Sequence, residues 1–184
     1  MQNASQAVLD SSYSYEERRF DGLNVDDFTT APLRAIAKAH FKAAPDRVFA
    51  RFADHEGMSQ WVPMVKHGVR VDHAASKTPH RCDAGSVRVC NFGGDILTET
   101  IKHWDAGKCY AYSVKPDKNS PAVDHLGVVT IEADGKGGSV VSWRQYFNPK
   151  PWSMKAKMMP FMMRFVLGKA LKNLAKEFGG GVIK

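Results

Sequence analysis

The chain lacks any apolar run near the roughly 18 residues that a membrane-spanning helix requires, and it carries only three cysteines, Cys82, Cys90 and Cys109. An odd and small number of thiols, behind a start that holds no apolar segment, argues against a disulfide framework and against export. A soluble protein in a reducing, cytoplasmic setting is the expectation. Also missing are the paired Cys and His spacings of a zinc site, a phosphate-cradling glycine loop, a Gly-x-Ser-x-Gly elbow and any Cys–His arrangement that spacing alone identifies. His80-x-Cys82-Asp83 is a cluster by composition only and reads as a polar loop. No metal and no cofactor are expected. The net charge of +7 suggests nucleic acid, yet there is no zinc finger, helix-turn-helix or RNP-like aromatic strand to read one. No nucleic-acid partner is expected.

That charge is local. Residues 150–184 hold eight Lys or Arg against the single acid Glu177, which equals the net charge of the whole chain. Residues 1–30 hold six acids against Arg18 and Arg19. They are polar and follow no sustained period, so they read as a flexible acidic N-terminal arm, disordered or loosely docked. At 184 residues and 43% hydrophobic content, the remainder, residues 31–184, suits a single domain able to fold on its own core.

From Leu33 to Phe41 apolar and polar residues alternate, interrupted only by Ile36, which predicts a half-buried strand. Pro45 and Asp46 open a short helix that ends at Gly57, with Val48, Phe49 and Phe52 on one side. Strand-like stretches follow at 65–73, 85–92, 96–103, 109–115, 123–132 and 139–147, separated by Gly and Asp turns suited to antiparallel hairpins. From Trp152 to about Phe178 a long helix is predicted. Its second half is amphipathic, with Met163, Leu167, Leu171, Leu174 and Phe178 opposite Lys169, Lys172 and Lys176. Its first half is apolar on every side, and Pro160 is expected to bend or restart it.

The order of these elements, together with the run from Phe41 to Pro63, Gly85–Val89 (G-S-V-R-V), Leu97–Ile101 (L-T-E-T-I), Tyr110–Tyr112 (Y-A-Y) and Val141–Trp143 (V-S-W), resembles the START/Bet v 1-like (SRPBCC) superfamily. More narrowly it is similar to the polyketide cyclase/dehydratase-type branch that includes lachrymatory-factor synthase-like proteins. The resemblance covers about residues 33–178. It implies an α+β helix-grip fold, in which a seven-stranded curved antiparallel sheet surrounds a long C-terminal helix over a deep apolar cavity. It also implies a hydrophobic small molecule, such as a lipid, polyketide or aromatic, as the partner.

Arg88 and Glu99 fall in successive predicted strands, in a register that can set them opposite one another. The resemblance implies proton-transfer work for such a pair, with Glu99 as general acid or base and Arg88 holding an anionic oxygen. The alternative is a solvated cross-strand ion pair on the convex face. Candidate ligand-binding residues are Trp61, which the resemblance places at the cavity mouth, Tyr110, Tyr112, His125 and Trp143; all of them read also as ordinary core residues, His125 and Trp143 more readily than as ligand contacts. Met158 and Met162 belong to the methionine-rich half-helix, which suits a plastic cavity mouth, a homodimer contact, an anionic membrane surface or burial between sheet and arm. The leading expectation is ligand binding in an internal cavity, with transport as its use. The alternatives are a cyclase/dehydratase-like enzyme and a peripheral membrane or partner-binding module.

Overall fold

The computed structural model describes residues 17–66, 68–118 and 120–183. A small hairpin, β1 (Arg19–Phe20) and β2 (Leu23–Asn24), runs into a 3-10 turn at Val25–Asp27, where the Asn24 side chain accepts from the Asp26 amide. Strand β3 (Leu33–Phe41) follows, then helix α1 (Pro45–Ala53) and a second 3-10 turn at Glu56–Gln60. Six strands come next: β4 (Arg70–Asp72), β5 (Val87–Phe92), β6 (Asp95–Asp105), β7 (Cys109–Val114), β8 (Ala122–Ala133) and β9 (Ser139–Pro149). Helix α2 (Met154–Phe178) and a short strand β10 (Gly180–Ile183) close the described chain.

Among the described residues, eight strands form one antiparallel sheet in the order β10-β3-β9-β8-β7-β6-β5-β4. Seven of them are the strands predicted from period two and Gly/Asp turns. The eighth, β10, lies beyond the last element predicted from the sequence. Gly180 makes its return possible, because its φ is +95° and a Cβ there would lie 2.1 Å from the His40 carbonyl oxygen. The first of the six middle strands is shorter than expected. The described residues of 65–73 contribute β4 and an isolated bridge from Val65 to Phe92.

Both helices pack on the concave face. Val166, Leu167, Ala170, Leu171, Leu174 and Phe178 of α2 join Phe41, Phe49, Phe52, Trp61 and Trp143 in one buried cluster. Ser153 caps α2 by accepting from the Ala156 amide, and of the bend or restart expected at Pro160 there is no restart, the helix running through it as one element. Period two in β7 and β8 then assigns each residue a side. Tyr110, Tyr112, Val129 and Ile131 face α1 and α2, while Cys109, Ala111, Leu126 and Val128 face the other way.

That convex face is also covered. Residues 1–16 of the predicted arm lie outside the described residues, but the stretch from Glu17 onward folds back over the sheet. Leu23, Val25 and Ala31 bury themselves against Ala111, Val128 and Tyr146. Glu17 binds Arg144 and Lys38 through its carboxylate, and its carbonyl accepts from the Tyr146 hydroxyl. Asp21 pairs with Lys108 and Asp26 with Arg18. The acids of this stretch therefore engage the hairpin and the sheet.

Candidate functional site

The β5–β6 hairpin builds the centre of the site. Its tight turn at Gly93 and Gly94, both at positive φ, sets the register that pairs Arg88 with Glu99. Both side chains point to the α2 side and are almost sealed from water, Arg88 at 1% exposure and Glu99 at 6%. The Arg88 Nε donates to Glu99 Oε2, an Arg88 Nη meets the Met58 sulfur at 3.3 Å, and the guanidinium sits 4.4 Å from the centre of the Tyr112 ring. Burial by itself would lower the arginine's pKa. Glu99, with Tyr110 and Tyr112, more than reverses this and holds it above its ordinary value, so the guanidinium keeps its charge.

Tyr112 connects this pair to a second polar group. Its hydroxyl accepts from Trp143 Nε1 at 3.1 Å and from Gln145 Nε2 at 2.9 Å, while Gln145 Oε1 accepts from His125 Nε2 at 2.6 Å. With both lone pairs taken, the phenol's own hydrogen is left to donate. Burial, aided by the charge of Glu99, raises the Tyr112 pKa well above that of a free phenol, so the proton stays on. The ring can lie here only because residue 127 is glycine, since a Cβ there would come within 2.2 Å of the Tyr112 Cζ. The floor thus presents the Arg88 guanidinium and the Tyr112 hydroxyl hydrogen as donors beside the Glu99 carboxylate.

Above the floor lies a cavity lined by Met58, Phe92, Leu97, Trp143, Met163 and Leu167 among others. Its free volume is about 50 Å³. A water molecule takes about 30 Å³ in the liquid, whereas ligand pockets run to several hundred. The deep cavity implied by the resemblance is present in position but nearly closed, because aromatic rings and flexible thioethers occupy it. Met58 and Met163 are the side chains best able to swing aside.

The predicted site residues divide into two groups. Arg88, Glu99, Tyr112, His125 and Trp143 line the cavity together. Trp61 and Tyr110 do not line it. Trp61 is wedged between Phe52 and Trp143, with ring centroids 5.0 and 5.9 Å away, and its indole nitrogen is unpartnered. Tyr110 is stacked among Phe49, Trp104 and His55, and burial pushes its hydroxyl up to about 12 against the pull of Arg88. Met162 is half-buried against the core, and Met158 stands exposed on the far side of α2. Gln145, Met58 and Cys90 line the cavity without having been singled out in the sequence as site residues, and Met163 lines it from the methionine-rich half-helix. Gln145 was detectable as the neighbour of Trp143 at period two.

A second cluster escaped sequence reading because 27 residues separate its members. His55 Nδ1 lies 3.4 Å from the Cys82 sulfur, and both sit behind Arg88 and Tyr110. Burial, with Arg88 and His73 adding to it, holds His55 well below the usual imidazole range, and burial pushes the Cys82 thiol up to about 11. Both shifts keep the pair neutral. It is a packed thiol and imidazole rather than an activated nucleophile.

Residues 33–179 match the family model described as polyketide cyclase/dehydrase and lipid transport. Protein XoxI from Bacillus cereus is 17% identical, with a TM-score of 0.63 over 78% of this chain and 94% of its own. A START superfamily protein from Mycobacterium smegmatis is 14% identical, with a TM-score of 0.55 over 77% of this chain and 91% of its own. The di-domain ARO/CYC StfQ from the steffimycin biosynthetic pathway is 14% identical, with a TM-score of 0.57 over 79% of this chain and 51% of its own. At these identities the likeness is one of fold. No curated protein matches the chain.

Proposed function

The chain belongs to the polyketide cyclase/dehydrase and lipid transport family, within the START/Bet v 1-like superfamily, and from that premise we propose that it binds a small hydrophobic molecule bearing an oxygen acceptor. The observation that carries this reading is the pair of donors at the cavity floor, where Arg88 and the Tyr112 hydroxyl, beside Glu99, His125 and Gln145, face a space whose remaining lining is mostly apolar. A carbonyl, enolate or carboxylate oxygen satisfies those donors, and the apolar body of a lipid, polyketide or aromatic fills the rest. Uptake requires the cavity to widen. Met58 and Met163 swing, and the β5–β6 hairpin separates from α2.

A second reading draws on Glu99. Its Oε2 takes the contacts from Arg88 and, at 3.9 Å, from Cys90, which leaves Oε1 for a guest. A guest carbonyl held by Arg88 and Tyr112 would place its acidic carbon within reach of that oxygen, the arrangement a cyclase/dehydratase-like enzyme uses for proton transfer. A Glu99→Gln variant that keeps guest affinity but stops turnover of a candidate substrate selects this reading.

Native mass spectrometry of freshly purified protein tests the binding function. The expected result is a small apolar molecule held by the wild type and absent from Leu97→Trp, whose indole fills the cavity. A wild type that carries nothing, and takes up no member of a panel of fatty acids and hydroxylated naphthalenes, overturns it.

A further inference from the structure

Helix α2 presents a second apolar face that no part of the described chain covers. Met154, Met158, Phe161 and Phe165 recur at spacings of four, three and four, which puts them on one stripe, and Trp152 stands just before the helix. These five side chains are between 56% and 96% exposed. The opposite face of the same turns holds Ala156, Met159 and Val166, all buried. The helix is therefore apolar on both sides for two different reasons. One side closes the sheet, and the other projects into solvent.

Along the helix the stripe is bordered by cations. Lys155 flanks it on one edge and Lys157 and Arg164 on the other, all exposed, with Lys150 ahead of the helix. Glu177 is the only acid from residue 150 to the end, and it is engaged by Arg51. We infer that this face docks on an anionic lipid bilayer, with Trp152, Phe161 and Phe165 in the headgroup layer and the lysines on the lipid phosphates and carboxylates. An aromatic and thioether stripe bordered by Lys and Arg matches the boundary between acyl chains and anionic headgroups. Charge complementarity sets this partner apart from a second copy of the chain. A two-fold contact through this stripe would bring Lys155, Lys157 and Arg164 of each copy together with no carboxylate on the face to offset them. Docking stands apart from the binding function proposed above, although Met163, Val166 and Leu167 of the same helix line the cavity, so it would set the cavity beside the membrane.

Co-sedimentation of the full chain with vesicles, without added guest, tests the inference. Binding to phosphatidylcholine vesicles containing phosphatidylserine is expected at low salt, with a blue shift of Trp152 emission, weakening as salt rises. Phe161→Ser and Phe165→Ser, at exposed positions where folding is not at stake, should each lower the partition coefficient by about tenfold. Lys155→Glu with Lys157→Glu should abolish the preference for phosphatidylserine. Failure to sediment at low salt overturns the inference, as does binding that ignores the serine substitutions or is equal on phosphatidylcholine alone. A concentration-dependent doubling of mass that these serines abolish, without vesicle binding, also overturns it by identifying the face as a dimer contact.

Discussion

Arg88 and Glu99 are an expensive way to fill a core. Removing two charges from water costs more than their attraction commonly returns, whereas leaving one of them alone is worse. Arg88→Met by itself should therefore destabilise the protein by about 3–5 kcal/mol in urea unfolding, by stranding the Glu99 carboxylate. The double variant Arg88→Met, Glu99→Leu should recover most of that loss and fall near the wild type. Such a result identifies the pair as retained for what it does in the cavity, and a double variant no better than the single assigns it to stability. Gly127 offers a second check at this scale. Gly127→Ala drives a methyl into the Tyr112 ring and should cost about 1–3 kcal/mol. It should also move the Trp143 indole resonance through the lost hydrogen bond.

Among the elements, the stretch from Glu17 to Ala31 behaves as a strap across the convex face. Its anchor is the carboxylate of Glu17, held below its ordinary pKa by Arg144 and Lys38 although burial works against this. Glu17→Ala leaves the buried Arg144 with Thr130 and the Phe20 ring among the described residues, and should cost about 1.5–3 kcal/mol. Hydrogen exchange should accelerate first in residues 17–31, and unchanged exchange there would show that the strap does not depend on this anchor. The cover it provides left a trace in sequence. Leu126 to Ile131 is nearly all apolar where a one-sided strand would alternate, and β7 puts Cys109 and Ala111 on the face opposite its tyrosines. Read for two-sided burial, those strands call for a covering element that the polar composition of residues 1–30 conceals. The alternation of β3 and the hairpin turns made the sheet legible, and the turn at Gly93–Gly94 made the Arg88–Glu99 pairing legible. What period and spacing do not carry is side-chain volume. Whether a concave face is hollow depends on how Trp143, Tyr112 and two methionines lean, and the meeting of His55 with Cys82 depends on loops without a period.

At the scale of the whole molecule, three histidines with lowered pKa couple stability to pH, the partly buried His103 and the deeply buried His55 and His125. His55 and His125 are both held below the ordinary imidazole value of 6.5, mainly by burial, with Gln145 and Glu99 partly opposing it at His125. The native state therefore binds fewer protons than the unfolded chain just below that value. Stability from these groups is complete above 6.5 and falls as pH drops toward their native values. Thermal midpoints measured between about pH 5 and 8 should decline on the acid side, and His55→Gln should flatten the decline. A midpoint that rises on acidification would contradict the buried, neutral state of both rings. Carboxylates such as Glu17 and Asp134, whose pKa values are lowered, act only at lower pH.

The central claim is that a guest enters between the sheet and α2 and meets the donors around Tyr112. The indole Nε1–H of Trp143 is bonded to that hydroxyl, so its resonance, assigned through Trp143→Phe, reports the site directly. Titration with the molecule recovered from the purified protein, or with the best binder of the fatty acid and naphthalene panel, should move the Trp143 signal saturably while that of the solvent-facing Trp152 stays in place. A Trp143 resonance that does not move at saturating guest would contradict the account.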